Sequence, residues 1–586
     1  MPVEVGSYVD LAELFPEREC SLEYLAECLG ELPLSLVLVM CARANQVVSG
    51  PGKLSHVDRQ KRLANSFLST GAGTRLNEVV RTRFEGSPDR AFLFFRAQLL
   101  QLVRWALLLC SDEPWPAERL WKQAEKDFFV QAALICSRIS EGKVLAVLGS
   151  NTSVPALKGI ALVFFRSALD AALIGPDPYR VVGRAQQLFL RYLPKHYEDL
   201  DVDFRRAAGT SFLEYMTAAG AVVAMHLQLD NSMILSDAIT LGSDTEYAEI
   251  YRAYQRLQVW DVDDLRDRLW PGGRIPRSLE EVPALNLKPL REKPIIALSD
   301  GRGVIPDPIL LADSVLAGPI FQLARVRDEN YVFSRLGYAF EEYATDILDR
   351  MFPYRTGLHQ RLRRKVPAED EQGHTFEIDA CLDYVDRLVL IETKAVFIAD
   401  APVIACDEAA FRAELERKYL RDERDVGIAQ LARAIRSLAV GTWAGVGTAG
   451  AVKLVYPVLV VHDRLLVEPL VTEALAEMLV GELSARRVPA SWQWEVNGLR
   501  FAPLTILTID DLEDLECSAA NVALLDLLQA YSAGVPNRRG SLHDFIASSE
   551  FKSAMTVNLT LADAGRSFLR DAAGRVFGRE IVEDTD

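Results

Sequence analysis

From about residue 20 to 260, apolar side chains recur three and four positions apart, as in RAFLFFRAQLLQLVRWALLL (90–109) and GIALVFFRSALDAAL (159–173), and strict alternation is scarce. That period predicts helices, so residues 1–260 are expected to be an all-α array acting as a scaffold or partner-binding region. The pattern changes at 261–330. There WPGGRIPRSLEEVPALNLKPLREKP gives way to IIAL and VIPDPILL, which reads as a Pro-rich connector with short strands. Beyond 331 the order is helix, three strands, helix, strand: YVFSRLGYAFEEYATDILDRMF, RLRRKV, HTFEIDACLDYV, RLVLIETKAV, a helix to about 438, then VKLVYPVLVVHD. Residues 331–465 are therefore expected to be a mixed α/β domain. Residues 466–586, which include the acidic run DDLEDLE, are expected to be a small, mostly helical accessory region.

Composition narrows this only slightly. At 586 residues the chain is long enough for about three to four domains. With 49% hydrophobic and 25% charged residues it has the make-up of a globular protein. Its formal charge of −17 argues against coating nucleic acid with the whole surface, so any phosphate-binding surface must be local. The eight cysteines, among them Cys20, Cys41, Cys110, Cys136 and Cys381, lie in apolar surroundings without CxxC pairs. They read as reduced core thiols. No basic start with an apolar run opens the chain, and no stretch approaches the ~20 apolar residues of a membrane span. A cytoplasmic protein with no membrane partner is expected.

Candidate chemistry begins at Leu388-Val389-Leu390-Ile391-Glu392-Thr393-Lys394-Ala395, where an apolar strand ends in two charges. A period of two puts Glu392 and Lys394 on the face of Leu388 and Leu390, where a lone charge is costly, so they need each other or a metal. In the preceding strand Phe376, Ile378, Ala380 and Leu382 share one face and Asp379 points to the other. A hairpin around Asp386-Arg387 brings Asp379 beside Glu392. Two carboxylates and an ammonium in one small volume suit phosphodiester hydrolysis. The hard oxygens hold Mg²⁺ or Mn²⁺, and the lysine orients and helps deprotonate a bound water. The competing reading is a structural ion-pair cluster.

The same E-x-K triplet recurs at Glu416-Arg417-Lys418, on a polar helix face where it has no such context. Upstream, Phe333, Leu336, Gly337, Phe340, Ala344, Ile347 and Leu348 form an apolar helical stripe that includes Glu341, while Glu342, Asp346 and Asp349 fall on the solvated face. A carboxylate on the core side of a helix wants a metal, a water or a lysine.

Taken together, Gly337-x-x-Phe340-Glu341-x-Tyr343, Glu377-Ile378-Asp379 and Ile391-Glu392-Thr393-Lys394-Ala395 resemble the PD-(D/E)XK nuclease superfamily, in the manner of its RecB-like and Mrr-like branches. The resemblance covers 331–465 and implies a restriction-endonuclease-like α/β fold there. It implies a catalytic set of Glu341, Asp379, Glu392 and Lys394, with Asp379 and Glu392 as metal ligands, Glu341 as an additional acidic ligand, and Lys394 orienting water. Gln430 falls where RecB-like members carry an accessory glutamine. Ala434 stands at their tyrosine position, and Ile378 at the proline of the family's name.

Arg355, Arg361, Arg363, Arg364 and Lys365 line the segment between the first helix and strand, either as a solvated edge or as a phosphate-contacting ridge. Ser49-Gly50-Pro51-Gly52-Lys53-Leu54 lacks the first glycine and the Ser/Thr of a phosphate loop and reads as an ordinary loop. The leading expectation is an Mg²⁺-dependent nuclease acting on DNA, with a protein partner docked on the helical half, similar to bacterial restriction or anti-phage effectors. The rivals are an RNA-cutting effector with the same chemistry and a silent scaffold.

Overall fold

Helices of the first half begin where a short polar side chain takes up the free backbone donors: Asp10, Ser21, Ser55 and Ser69 each accept an N–H of the first turn. The computed structural model describes residues 7–577 apart from 50–54, 85, 87–90, 116–118, 150–176, 229–232, 236–244, 278–280, 283–286, 300, 354–360, 371, 397, 399–401, 403–407, 421–426, 444–450, 463–465, 467–468, 489–492, 535–541, 543–544 and 547–548. The expected helix at 159–173, the loop at 50–54 and Arg355 lie outside the described residues.

Helices dominate the first half as expected, but it is not all-α. Ser7–Tyr8 pairs with Ala91–Phe92, and Met233–Leu235, Val259–Trp260, Ile295–Ala297 and Arg302–Val304 form a four-stranded sheet. Strands of two or three residues are too short to show a period of two. The connector carries two short strands, Ile295–Ala297 and Arg302–Val304, and also joins the two cores. Helix Pro308–Ala324 gives Leu310 to the N-terminal core and Leu311, Val315, Ile320 and Leu323 to the next. Its cap, Asp307, is buried and takes two bonds from Arg96, at 2.7 and 3.0 Å.

The second half is organised by an eight-stranded mixed sheet. Its elements are α1 (Glu329–Met351), β1 (Arg361–Glu369), β2 (Thr375–Asp383), β3 (Arg387–Lys394), α2 (Glu408–Tyr419), α3 (Ile428–Val440), β4 (Leu454–Val461), α4 (Pro469–Leu483), β5 (Arg486–Arg487), β6 (Trp494–Val496), β7 (Leu499–Phe501), β8 (Thr505–Thr508) and α5 (Ile509–Ser518). The order runs β5-β6-β7-β4-β3-β2-β1, and β8 pairs with β4 beyond β7. The strands β1, β2 and β3 are antiparallel, whereas β3 and β4 are parallel from Arg387–Leu454 to Lys394–Val461. That parallel step needs the crossover that α2 and α3 supply.

Both faces of the sheet are covered, which explains the continuous apolar runs of β3 and β4. Val389, Ile391, Val458 and Val460 pack toward α1, while Leu388, Leu390, Leu459 and Val461 pack with Ile428, Leu431 and Ile435 of α3. The last 120 residues are no separate accessory: β5 to β8 extend the sheet, and helix Leu559–Phe577 packs on helices Pro178–Gln186 and Phe212–Gln228 of the first half. At that crossing Gly183 and Gly565 meet, each where a Cβ would strike a backbone carbonyl of the opposing helix.

Candidate active site

The hairpin expected at Asp386-Arg387 forms. Tyr384 N–H donates to Arg387 O at 2.9 Å, and Val385 takes a left-handed φ of 74°. Pairing runs from Asp383–Leu388 to Ala380–Ile391. Continued by one residue, that register sets Asp379 opposite Glu392. The strand faces differ from the sequence reading, however. Ile378 packs on the α3 side while Ala380 and Leu382 pack on the α1 side, and across from them Val366 and Leu362 divide in the same way. The change of face falls at Lys365, which has a left-handed φ of 48° and where the pairing opposite Asp379 is interrupted. The kink delivers Lys365 and Asp379 to the sheet end where Glu392 and Lys394 stand.

Asp379 is fixed by its neighbour across the hairpin: Thr393 N–H and Thr393 Oγ1 both donate to Oδ2 at 2.7 Å. Glu392 is fully buried, with Lys394 Nζ 3.0 Å from its Oε1, yet neither carboxylate oxygen receives an aligned hydrogen bond. Burial, and secondarily the charge of Asp379, push the Glu392 carboxyl well above its ordinary range. Burial alone would lower the Lys394 ammonium, but Glu392 and Asp379 more than offset it and hold it above its usual value. Glu341, on α1, is raised by burial and by Asp379, and Lys365 Nζ lies 3.3 Å from its Oε1. Glu341, Asp379, Glu392 and Lys394 lie near enough for their charges to act on one another.

Sequence reasoning missed Thr393, the clamp on Asp379, and Gly427. A Cβ on Gly427, whose φ is 62°, would stand 3.7 Å from Lys394 Cε and 3.2 Å from the Tyr419 ring. Gln430 donates to the backbone carbonyl of Glu377, two residues before Asp379, so it braces β2 from α3.

The basic segment is largely engaged within the molecule. Arg364 bonds Asp346 (3.1 Å), Asp349 (2.6 Å) and Thr345 (2.7 Å), Arg363 lies 3.8 Å from Asp383, and Lys365 meets Glu341. Arg361 opens β1 opposite Asp383. The acids assigned to a solvated face of α1 are likewise engaged: Glu342 takes Lys195 (2.5 Å) and His196 (2.7 Å), and Asp346 takes Tyr192 OH (3.0 Å). Helices of the first half cover that face, which its polarity alone could not reveal. The decoy Glu416 sits on α2, 3.4 Å from Arg412.

Among the described residues no three His, Cys, Asp or Glu side chains stand in an arrangement that encloses a metal ion; as placed, Lys394, Thr393 and Lys365 face the site carboxylates. The donor set nonetheless suits a hard divalent cation. Glu392 keeps two buried oxygens without aligned donors beside the carboxylates of Asp379 and Glu341, and such oxygens are the preferred ligands of Mg²⁺ or Mn²⁺. No helix among the described residues is long and apolar enough to cross a membrane. Comparison with protein-family models, curated proteins and solved structures finds no match to this chain.

Proposed function

We propose that residues 331–465 form the core of a metal-dependent nuclease of PD-(D/E)XK type. The observation that carries this reading is Glu392: a buried carboxylate with two under-satisfied oxygens, between Asp379 and Lys394 at the end of the strand pair. A purely structural ion pair gains little from that arrangement, since burying charge costs more than such a pair returns. A phosphodiester hydrolase needs it.

Asp379, Glu392 and Glu341 would hold Mg²⁺ or Mn²⁺, which when bound neutralises charge on the scissile phosphate and makes a coordinated water more acidic. Thr393 keeps Asp379 in position, and Gln430 steadies the strand that carries it. Lys394, held in its protonated form, serves as a fixed positive charge that orients the attacking water and favours hydroxide, rather than as a proton acceptor. The helical half grips α1 through Glu342 and Asp346, so a protein docked there would act on the helix that carries Glu341.

Matched DNA and RNA strands, incubated with Mg²⁺ and with wild type, Asp379→Ala, Lys394→Ala and Glu416→Ala, test the reading. Cleavage by wild type and Glu416→Ala, abolished in the other two, is expected, with DNA preferred. Loss confined to Glu416→Ala would sink the assignment, and cutting of RNA alone would move the substrate to that class.

A further inference from the structure

Along α1, Tyr331, Arg335, Tyr338 and Glu342 stand at i, i+4, i+7 and i+11 on one helix face; its two ends are covered, Tyr331 by Tyr197 with ring centres 5.3 Å apart and Glu342 by Lys195 and His196, while Tyr338 between them is exposed. The Arg335 guanidinium lies between the two tyrosines, 4.7 Å from the Tyr331 ring centre and 5.9 Å from that of Tyr338. Other arginines around this helix are spent on acids: Arg327 on Asp199 and Asp203, Arg350 on Glu516, Arg364 on Asp346 and Asp349. Arg335 has no carboxylate partner among the described residues, and its Nε is buried without an acceptor. Tyr338 is 45% exposed, although its ring is large enough to have been buried, and His196 flanks it with ring centres 6.1 Å apart. In a chain of net charge −17, an uncommitted cation stacked with an open aromatic face is a local exception.

We propose that Arg335 and Tyr338 form a short track for single-stranded nucleic acid leading to the Glu341 site, an inference that rests on the nuclease reading. Tyr338 precedes Glu341 by three residues, about 4.5 Å along the helix, and Arg335 by six, about 9 Å. Stacking on Tyr338 needs the face of an unpaired base, and Arg335 supplies a planar fork for a phosphate. In a duplex the base faces are already stacked on one another, so duplex DNA would gain only the arginine contact.

The test uses the full chain carrying Lys394→Ala, so that binding is read without cutting, and fluorescence anisotropy with a single-stranded DNA of about 16 nucleotides, its RNA counterpart and the matched duplex. Adding Tyr338→Ala should weaken single-strand binding about tenfold and duplex binding by less than about twofold, while Tyr338→Phe keeps the affinity. Adding Arg335→Ala should also lower the salt slope by about one. Unaltered single-strand affinity in Tyr338→Ala, an equal loss on duplex, or no single-strand binding by the Lys394→Ala chain each overturns the track. Cleavage by the wild-type chain is measured alongside. Cutting with an unchanged Tyr338→Ala affinity discards the track and keeps the nuclease. Binding through the track with no cutting keeps the track and discards the nuclease.

Discussion

Removing Lys394 and Glu392 one at a time should harm the fold far more than removing both. Lys394 Nζ is 3.0 Å from Glu392 Oε1, and the side chains are only 19% and 1% exposed, so each charge depends on the other. Breaking a buried pair by deleting one partner costs about 3 kcal/mol, whereas replacing both by neutral groups of similar shape is near neutral or stabilising. Lys394→Met and Glu392→Gln should thus each lose about 3 kcal/mol at neutral pH, and the double variant should lie within about 1 kcal/mol of wild type, where simple addition gives a loss of about 6 kcal/mol.

The single Lys394→Met variant also carries a pH signature. Burial and Asp379 already raise the Glu392 carboxyl, and Lys394 is the group that pulls it back down. A carboxyl raised in the folded state binds its proton more tightly there than in the unfolded chain, so stability falls as pH climbs from the unfolded value of about 4.3 through the folded one. The penalty of Lys394→Met should therefore be larger at about pH 8.5 than at about pH 6, and the double variant should lack that slope. Urea unfolding of the four proteins at both pH values reads this directly. Additive losses, or a Lys394→Met penalty that shrinks as pH rises, would refute the claim of a mutually dependent buried pair.

The same contacts set three other outcomes. Thr393→Val removes the hydroxyl bond to Asp379 but keeps the backbone one, so kcat should fall at least tenfold, about 1.4 kcal/mol, with KM and unfolding midpoint little changed; unchanged kcat would show that the clamp is dispensable. Gly565→Ala puts a Cβ against the Tyr179 carbonyl and should cost about 2–3 kcal/mol, whereas Gly481→Ala, with open space around it in α4, should be neutral or stabilising by up to about 1 kcal/mol. Equal melting shifts for the two would contradict the close crossing that joins the two halves of the chain. Mg²⁺ at about 100 times its Kd should stabilise wild type by about 2.7 kcal/mol and leave Asp379→Asn unmoved in calorimetry. A shift of the same size in the variant would place the cation elsewhere.

Whatever depends on local period is legible in the sequence. The run from Leu388 to Ile391, the charged pair at its end and the hairpin into it can be read because a strand buried on both faces leaves an uninterrupted apolar signature. The stripe on α1 is legible for the same kind of reason. Legibility stops where one residue's backbone decides the outcome. Both strands change face at the left-handed Lys365, and lysine gives no warning of it. It also stops where partners are far apart in sequence. Arg184 forms a bidentate pair with Glu513 (2.7 Å to each oxygen), which also accepts from Tyr343 (2.8 Å), so three distant segments share one buried cluster. For that reason 331–465 reads as a free-standing module, although β8 and α5 complete its sheet and the first half covers α1.

The central claim is that Asp379, Glu392 and Lys394 cut phosphodiester bonds with a divalent metal. Its most direct test is incubation of supercoiled plasmid and of linear single- and double-stranded DNA with Mg²⁺, Mn²⁺ or EDTA, comparing wild type with Lys394→Ala. Metal-dependent cutting by wild type, absent in EDTA and absent in the variant, is the expected result. Cutting that survives Lys394→Ala, or that persists in EDTA, would contradict it.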